Sequence, residues 1–378
     1  MAFGIYVHVP FCSSRCGYCD FNTYTATELG DSVRRDTFDD VLAAEVRFAA
    51  STLGDGVRAV DTVFVGGGTP TLLGSAGLAR VLEEIRAEFG LAPNAEVTTE
   101  ANPDSVDERM LGELRAAGFT RISFGMQSTA PAVLRVLERT HTPGASLAMA
   151  SAAAREGFEH VNLDLIYGTP GESDDDLRRS VSDAIDAGVD HVSAYALIVE
   201  EGTPLSRRVR RGEMAAPDDD VLADRYAIVD DLLARAGLEW YEVSNWARPG
   251  GECRHNLGYW HDDDWWGIGP GAHSHLGGVR WWNAKHPRTY AEQVSAGGSP
   301  EAEREVLTAG QRRMERIMLG LRLREGLPME EVSASASARV PGLLAQDLLD
   351  AAAATDGRLV LTAKGRLLAD AVIRDLVD

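Results

Sequence analysis

Tyr6-Val7-His8-Val9-Pro10-Phe11-Cys12-Ser13-Ser14-Arg15-Cys16-Gly17-Tyr18-Cys19-Asp20-Phe21 is the stretch on which the reading of the chain turns. A β-branched run predicts a strand over Ile5–Val9, and Pro10 ends it in a glycine-containing loop. Three of the four cysteines of the chain fall in this loop with the spacing C-x3-C-x2-C. A cubic iron–sulfur cluster takes four ligands, ordinarily thiolates. Three local cysteines therefore hold a cube and leave one iron open to a small molecule. The competing reading is a Cys3His zinc site, completed by His8 or a distant histidine. Structural zinc sites favour paired C-x2-C knuckles, and only Cys16 and Cys19 form such a pair, so the donor set leans toward the cluster.

The rest of the composition fits reduced, metal-binding thiols. With 378 residues, 44% of them hydrophobic, the chain has material for one large domain and one or two small ones. Four cysteines are too few for a disulfide scaffold at this length. The apolar run near Met1 lacks a basic n-region and a cleavage site, and no stretch approaches the ~20 apolar residues of a membrane span. The expectation is a cytoplasmic protein, with only peripheral membrane contact left open. A net charge of −21 repels a phosphate backbone unless a local basic patch overrides it, which argues against nucleic acid as a partner.

Strand-like runs recur at Ile5–Val9, Val60–Val65, Glu96–Glu100, Arg121–Met126, His160–Ile166 and His191–Ala196. Between them, Thr37–Leu53, Ser75–Phe89, Ser105–Ala117, Gly144–Glu156 and Ser173–Ala187 carry helical periodicity, and Ser105 with Glu108 reads as a capping box. Six β-then-α units predict a parallel α/β sheet, barrel-like or doubly wound. Leu205–Gly212 reads as a basic linker and Pro217–Ala236 as a helix. All seven tryptophans then fall between Trp240 and Trp282. The tail reads as helices over Thr308–Leu323 and Gly342–Ala353, a hairpin around Gly357–Leu361 and a last helix over Ala363–Leu376. That order predicts a winged-helix-like unit.

Gly66-Gly67-Gly68-Thr69-Pro70 follows the second strand, where glycines let backbone groups approach a ligand without Cβ obstruction. The next strands end at or near Glu100, Gln127, Asp164 and the Tyr195–Ile198 backbone. Each of these alone reads as a strand cap, but the strand ends of a parallel barrel converge on one mouth, where ligands bind. Together with the cysteine loop they predict one site.

The triplet is similar to the signature of the radical S-adenosylmethionine (SAM) superfamily. Tyr6, His8, the triplet, Gly66–Pro70, Glu100, Gln127, Arg139 and Asp164 resemble its oxygen-independent coproporphyrinogen oxidase group over nearly the whole chain. The resemblance implies a partial (βα)6 barrel, with a [4Fe–4S] cluster on Cys12, Cys16 and Cys19 whose open iron chelates SAM. It implies SAM contacts at Tyr6, Tyr18, Gly67, Gly68, Thr69, Glu100, Gln127, Arg139 and Asp164, with Ile198 near the adenine. Charge and hydrogen bonding suit Arg139 to the SAM carboxylate and Asp164 to the ribose hydroxyls.

Two departures separate the chain from the oxidase. That enzyme carries a further cysteine two residues after the triplet, where this chain has Phe21, and an N-terminal extension, whereas the first strand here is expected almost at Met1. Cys253-Arg-His255-Asn256-Leu-Gly-Tyr259-Trp260 instead contains H-N-x-x-Y-W, which resembles the haem-binding signature of the haem-chaperone branch of the same group. Imidazole is a common axial ligand of haem iron, and aromatic faces bury a macrocycle. Trp246, Trp265, Trp266, Trp281 and Trp282 extend the expected apolar wall, and Cys253 is either a second axial ligand or a buried free thiol. A Trp-rich stretch also builds a plain subdomain core, in which His255 only hydrogen-bonds. Ile268–His273 reads as a glycine turn near the barrel mouth, and His261, His275 and His286 read as surface residues.

The organisation expected is a barrel over 1–215 followed by a C-terminal region that covers its mouth, made of a Trp-rich segment over 216–300 that carries the haem motif and a helical winged-helix-like domain over 301–378. The function the resemblance implies is binding haem and passing it to apo-haemoproteins such as respiratory cytochromes. The alternatives are a coproporphyrinogen III dehydrogenase and another radical SAM oxidoreductase.

Overall fold

A computed structural model describes residues 2–30 and 33–377, so Met1, Asp31, Ser32 and Asp378 lie outside the described residues. The six expected strands form and lie side by side in chain order: β1 (Phe3–Val9), β2 (Val60–Gly67), β3 (Leu91–Ala101), β4 (Arg121–Gln127), β5 (His160–Tyr167) and β6 (His191–Ala196). Every neighbouring pair is parallel. Parallel strands need crossovers, here supplied by α1 (Phe38–Leu53), α2 (Gly74–Phe89), α3 (Glu108–Ala117), α4 (Pro131–Val136) with α5 (Ala145–Arg155), and α6 (Asp174–Asp186). Phe38, Leu42, Val46 and Ala49 recur at helical spacing on α1 and are fully buried with Ile5, Val7, Val63 and Val65 of the sheet. The expected partial (βα)6 barrel is thus the observed core.

The chain continues through α7 (Pro204–Arg210), α8 (Asp219–Arg235), β7 (Glu239–Glu242), β8 (Asn245–Ala247), α9 (Arg254–Trp260), β9 (Asp264–Ile268), β10 (His273–Leu276), β11 (Val279–Asn283), α10 (Pro287–Ser295), β12 (Glu301–Val306) and α11 (Ala309–Gly320). The Trp-rich segment lengthens the same sheet at both edges. β8 pairs antiparallel with β6 and carries β7, while β9 pairs parallel with β1 and carries β10, β11 and β12. Residues 317–376 bury a second apolar cluster of their own, including Ile317, Leu321, Leu327, Leu359 and Val372.

Several local expectations change. Leu205–Gly212 is not a linker, because Thr203 caps a helix that starts at Pro204. The α3 helix starts later than Ser105: Pro103 forces a 3-10 turn first, and the Asp107 carboxylate caps by accepting the Met110 N–H at 2.8 Å. Gly342–Ala353 splits into Val340–Ala345 and Ala351–Thr355, with Asp347 in the left-handed region between them. The last helix breaks at Leu368. Around Gly357 an isolated antiparallel bridge joins Leu349 to Leu361, and Arg358–Leu359 pairs back to Leu327–Pro328. Gly326 permits that close approach, since a Cβ there would strike the Leu359 carbonyl.

Candidate functional site

The cysteine loop is fastened to the glycine run that follows β2. Phe11–Cys12 forms a short parallel pair with Tyr24–Thr25, while Gly68 N–H donates to the Val9 carbonyl at 2.8 Å and Thr69 N–H to the Phe11 carbonyl at 2.7 Å. A Cβ on Gly68 would collide with the Phe11 carbonyl and lie 3.1 Å from Cys12 Sγ. Only glycine lets these two segments meet. On the other side Gly17 N–H donates to the Leu137 carbonyl at 3.0 Å, and Leu205 N–H to the Gly17 carbonyl at 2.8 Å.

Cys12, Cys16 and Cys19 line one cavity of about 630 Å³ at the C-terminal ends of the strands, together with Tyr18, Gly67, Gly68, Thr69, Glu100, Gln127, Arg139, Asp164 and Ile198. Of the expected SAM contacts, Tyr6 alone does not line it; its hydroxyl is hydrogen-bonded to His8 Nδ1 at 2.9 Å. Arg139 donates to Cys16 Sγ at 3.4 Å and to the Gly125 carbonyl at 3.0 Å. Gly125 has no side chain to block it, since a Cβ there would lie 2.5 Å from Arg139 Nη2. Gln127 ends β4 with φ +67°, a left-handed backbone that a side-chain-bearing residue rarely adopts.

Two half-buried carboxyls face the cavity. Glu100 accepts the Gly67 N–H at 3.0 Å, and burial, with the nearby charge of Asp164, pushes its pKa up to about 8. Asp164 accepts from Ser123 Oγ at 3.0 Å and Asn162 Nδ2 at 2.7 Å; burial still raises it above the ordinary aspartate value. Burial likewise raises the Cys12 thiol and takes Cys19 to about 11. These thiols hold their protons at neutral pH until a metal displaces them. Paired carboxyls beside a guanidinium suit a ligand with an ammonium group, a carboxylate and hydroxyls.

The zinc reading loses its fourth ligand. His8 Nδ1 is bonded to Tyr6 and Nε2 to the Asn22 carbonyl at 2.9 Å, and no histidine lines the cavity. Three soft thiols beside a glycine cradle and two half-buried carboxyls fit a site-open cluster with a small zwitterionic ligand.

The C-terminal region reaches the cavity through Tyr226, Trp240, Ser244, Arg322 and Arg366, but the H-N-x-x-Y-W segment that it carries lies elsewhere. It forms α9 against the N-terminal ends of β1 and β2: a Cβ on Gly4 would sit 3.2 Å from the His255 ring, and His255 Nδ1 is 2.8 Å from Thr62 Oγ1. Five residues of strand, about 16 Å, separate Thr62 from Gly67 at the other end. Nε2 of His255 is 2.8 Å from the Tyr259 hydroxyl, its N–H donates to Glu96 at 3.1 Å, and the ring stacks on Phe64. Burial lowers its pKa to about 4, so the ring is neutral. Both ring nitrogens are therefore engaged within a core. Asn256, Tyr259 and Trp260 share the helix and are half-buried.

The tryptophans do not form one wall. Trp246 sits on β8 and donates to Asp230, whereas Trp265, Trp266, Trp281 and Trp282 lie on β9 and β11, with six strands between the two groups. Cys253 is a buried thiol, 3.6 Å from Glu96 Oε1, with its pKa raised by burial. His275 is fully buried against Trp265 and bonds the Asp263 carbonyl, not a surface residue, while His261 and His286 are exposed.

Residues 6–184 match the radical SAM superfamily and residues 307–368 the HemN C-terminal domain. The chain is 59% identical over 375 residues to the heme chaperone HemW of Mycobacterium tuberculosis, covering 99% of this chain and 95% of that one. It is 35% identical over 333 residues to the heme chaperone HemW of Escherichia coli, covering 86% and 84% respectively. This chain belongs to the HemW family. As a HemW-family member it shares its fold with the solved coproporphyrinogen III oxidase (HemN) of Escherichia coli, at a TM-score of 0.84 and 24% identity over 100% of this chain and 90% of that one. The radical SAM fold implies SAM and a [4Fe–4S] cluster.

Some cavity residues of this HemW-family chain carry no motif. Ser123, Tyr167, Tyr195, Trp240, Arg322 and Arg366 all line it. The signal for Ser123, Asn162 and Ser193 was alternation: each sits two residues before a cavity residue on its strand, and inward positions of a strand repeat every second residue. Arg322 and Arg366 come from the last part of the chain, and nothing local in the sequence joins them to the barrel.

Proposed function

We propose that the chain binds haem and passes it to apo-haemoproteins in the cytoplasm, respiratory cytochromes being the acceptor class. What supports this most is full-length similarity to proteins named heme chaperone HemW. Phe21 adds to it: an exposed phenyl ring lines the cavity where the oxidase carries a fourth cysteine, and a phenyl ring neither ligates a metal nor relays electrons through sulfur. No helix among the described residues is long and apolar enough to cross a membrane.

Cys12, Cys16 and Cys19 are the proposed cluster ligands, and Tyr18, Gly67, Gly68, Thr69, Glu100, Gln127, Arg139, Asp164 and Ile198 the proposed SAM site, with Tyr6 supporting it through His8. A cluster and SAM, when bound, supply one-electron reduction of a sulfonium. The chain's own contribution is positioning: Arg139 for the carboxylate, Asp164 for hydroxyls, and Glu100 with the glycine backbone for the amino group. His255, Asn256, Tyr259 and Trp260 form the proposed haem motif. Ligation by His255 would require Thr62 or Tyr259 to release a ring nitrogen.

The test is an anaerobic assay of the purified holoprotein. Haemin loaded on the chain should transfer to an apo-cytochrome b, while coproporphyrinogen III with SAM and reductant should give no vinyl product. Vinyl product at enzymatic rates, without haem transfer, would replace this reading with the oxidase.

A further inference from the structure

In a chain of net charge −21, Arg207-Arg208-Val209-Arg210-Arg211 places four arginines in five residues. They occupy the end of α7 and its C-cap. Arg208 is half-buried and turned toward the Val136 carbonyl and Glu138, and Arg211 pairs with Glu213 at 2.6 Å. Among the described residues neither Arg207 nor Arg210 has a carboxylate within ion-pair distance, and both are exposed. Two of the four arginines thus keep a positive charge with no carboxylate beside it, on a surface that is negative overall.

The same helix is joined to the cysteine loop. Leu205 N–H donates to the carbonyl of Gly17 at 2.8 Å, and Gly17 directly follows Cys16. Leu205 is buried in a small apolar cluster with Val133, Leu137 and Leu197, against which Tyr18 packs. The helix that ends in the arginines is thus anchored at its N-terminal turn to the loop that carries Cys16.

Resting on the cluster reading above, we propose that Arg207, Arg210 and Arg211 form the docking surface for an acidic one-electron carrier protein that reduces the cluster. One electron leaves the reduced centre of the carrier and enters the [4Fe–4S] cluster, which passes from the 2+ to the 1+ state; no bond is made or broken and no proton moves. Charge complementarity selects the partner and speeds its encounter. An anionic membrane is the other polyanion such a patch suits, but a membrane gives no reason for contact with the cysteine loop.

The test compares wild type with Arg207→Glu/Arg210→Glu/Arg211→Glu, both anaerobically reconstituted, using an acidic plant-type [2Fe–2S] ferredoxin as the carrier. Stopped-flow bleaching of the cluster band by reduced ferredoxin should slow at least tenfold in the variant at low salt, and ferredoxin affinity by calorimetry should fall in parallel. Bleaching by dithionite should stay within about twofold of wild type, and Arg235→Glu, an exposed charge reversal on α8, should behave as wild type. Equal ferredoxin rates in wild type and the triple variant would overturn the proposal. So would an unchanged ferredoxin rate accompanied by loss of binding to phosphatidylglycerol vesicles, which would reassign the patch to a membrane. Failure of dithionite to bleach either protein would instead remove the cluster reading, and the docking proposal with it.

Discussion

Cys16→Ala should strip the chain of nearly all bound iron and of its charge-transfer absorption near ~400 nm, with ~4 iron atoms per chain expected in the wild type. Cys16 supplies one of only three thiols at the cavity, so no neighbouring cysteine replaces it. The fourth, Cys253, is at the opposite end of the strands beside Glu96. Cys253→Ala should therefore keep its full iron content. The fold should survive Cys16→Ala, because this side chain is only partly buried and the backbone bonds of its loop, from Gly17 to Leu137 and from Leu205 to Gly17, do not involve the sulfur. Iron analysis with far-ultraviolet circular dichroism separates the two effects. Stoichiometric iron in folded Cys16→Ala would contradict the ligand set.

His255→Ala should be costly whether or not haem is present. It empties a buried ring-sized space beside Phe64 and Gly4 and leaves the Thr62 and Tyr259 hydroxyls without their partner. Cavity formation and unmet hydroxyls together predict a loss of about 2–4 kcal/mol, read as a lower urea midpoint. A haem-binding defect in this variant alone would therefore say little about ligation. His255→Gln separates the questions: a glutamine amide can replace at least one of the two hydrogen bonds and most of the volume, so its loss should stay near ~1 kcal/mol. It lacks the imidazole nitrogen that binds haem iron. Folded His255→Gln should bind haemin at least tenfold more weakly, with a shifted Soret maximum. Wild-type affinity and spectrum in His255→Gln would move the haem site away from α9.

The barrel could be read directly because each of its strands is a short β-branched run followed by a helical period, and the pattern of a parallel sheet is local. The cavity could be read for a related reason: Gln127 closes its strand, Glu100 and Asp164 lie in the C-terminal halves of theirs, and parallel topology brings strand ends together. Where the reading went astray, the deciding contacts were distant in sequence. The fate of α9 depends on Gly4 and Thr62, whose missing or small side chains leave room for His255, and nothing within residues 253–260 reveals that. The tryptophans are close in sequence yet divided in space, because the chain crosses from one side of the six parallel strands at β8 to the other at β9. His275 is polar in type but buried by a hairpin formed with β11. The helix over Pro204–Arg210 looked like a linker because its arginines hide an apolar face of only a few residues, Leu205 chief among them.

The two ends of the barrel are joined by buried polar groups. Asp164 is bonded to Asn162, Asn162 Oδ1 to His191 at 2.6 Å, His191 to the Tyr241 hydroxyl at 2.7 Å, and that hydroxyl accepts the Cys253 N–H at 3.2 Å. Such a chain needs every member satisfied to be stable in the interior. It rigidifies the path between the cavity and the segment that opens α9.

Electron paramagnetic resonance of the anaerobically reduced protein, recorded before and after addition of SAM, probes the vacant coordination position itself. If three thiolates anchor the cube and its remaining iron faces the Glu100–Asp164 cavity, SAM should alter the g-values of the reduced cluster. A spectrum indifferent to saturating SAM, or zinc in place of iron at these sulfurs, would contradict the account.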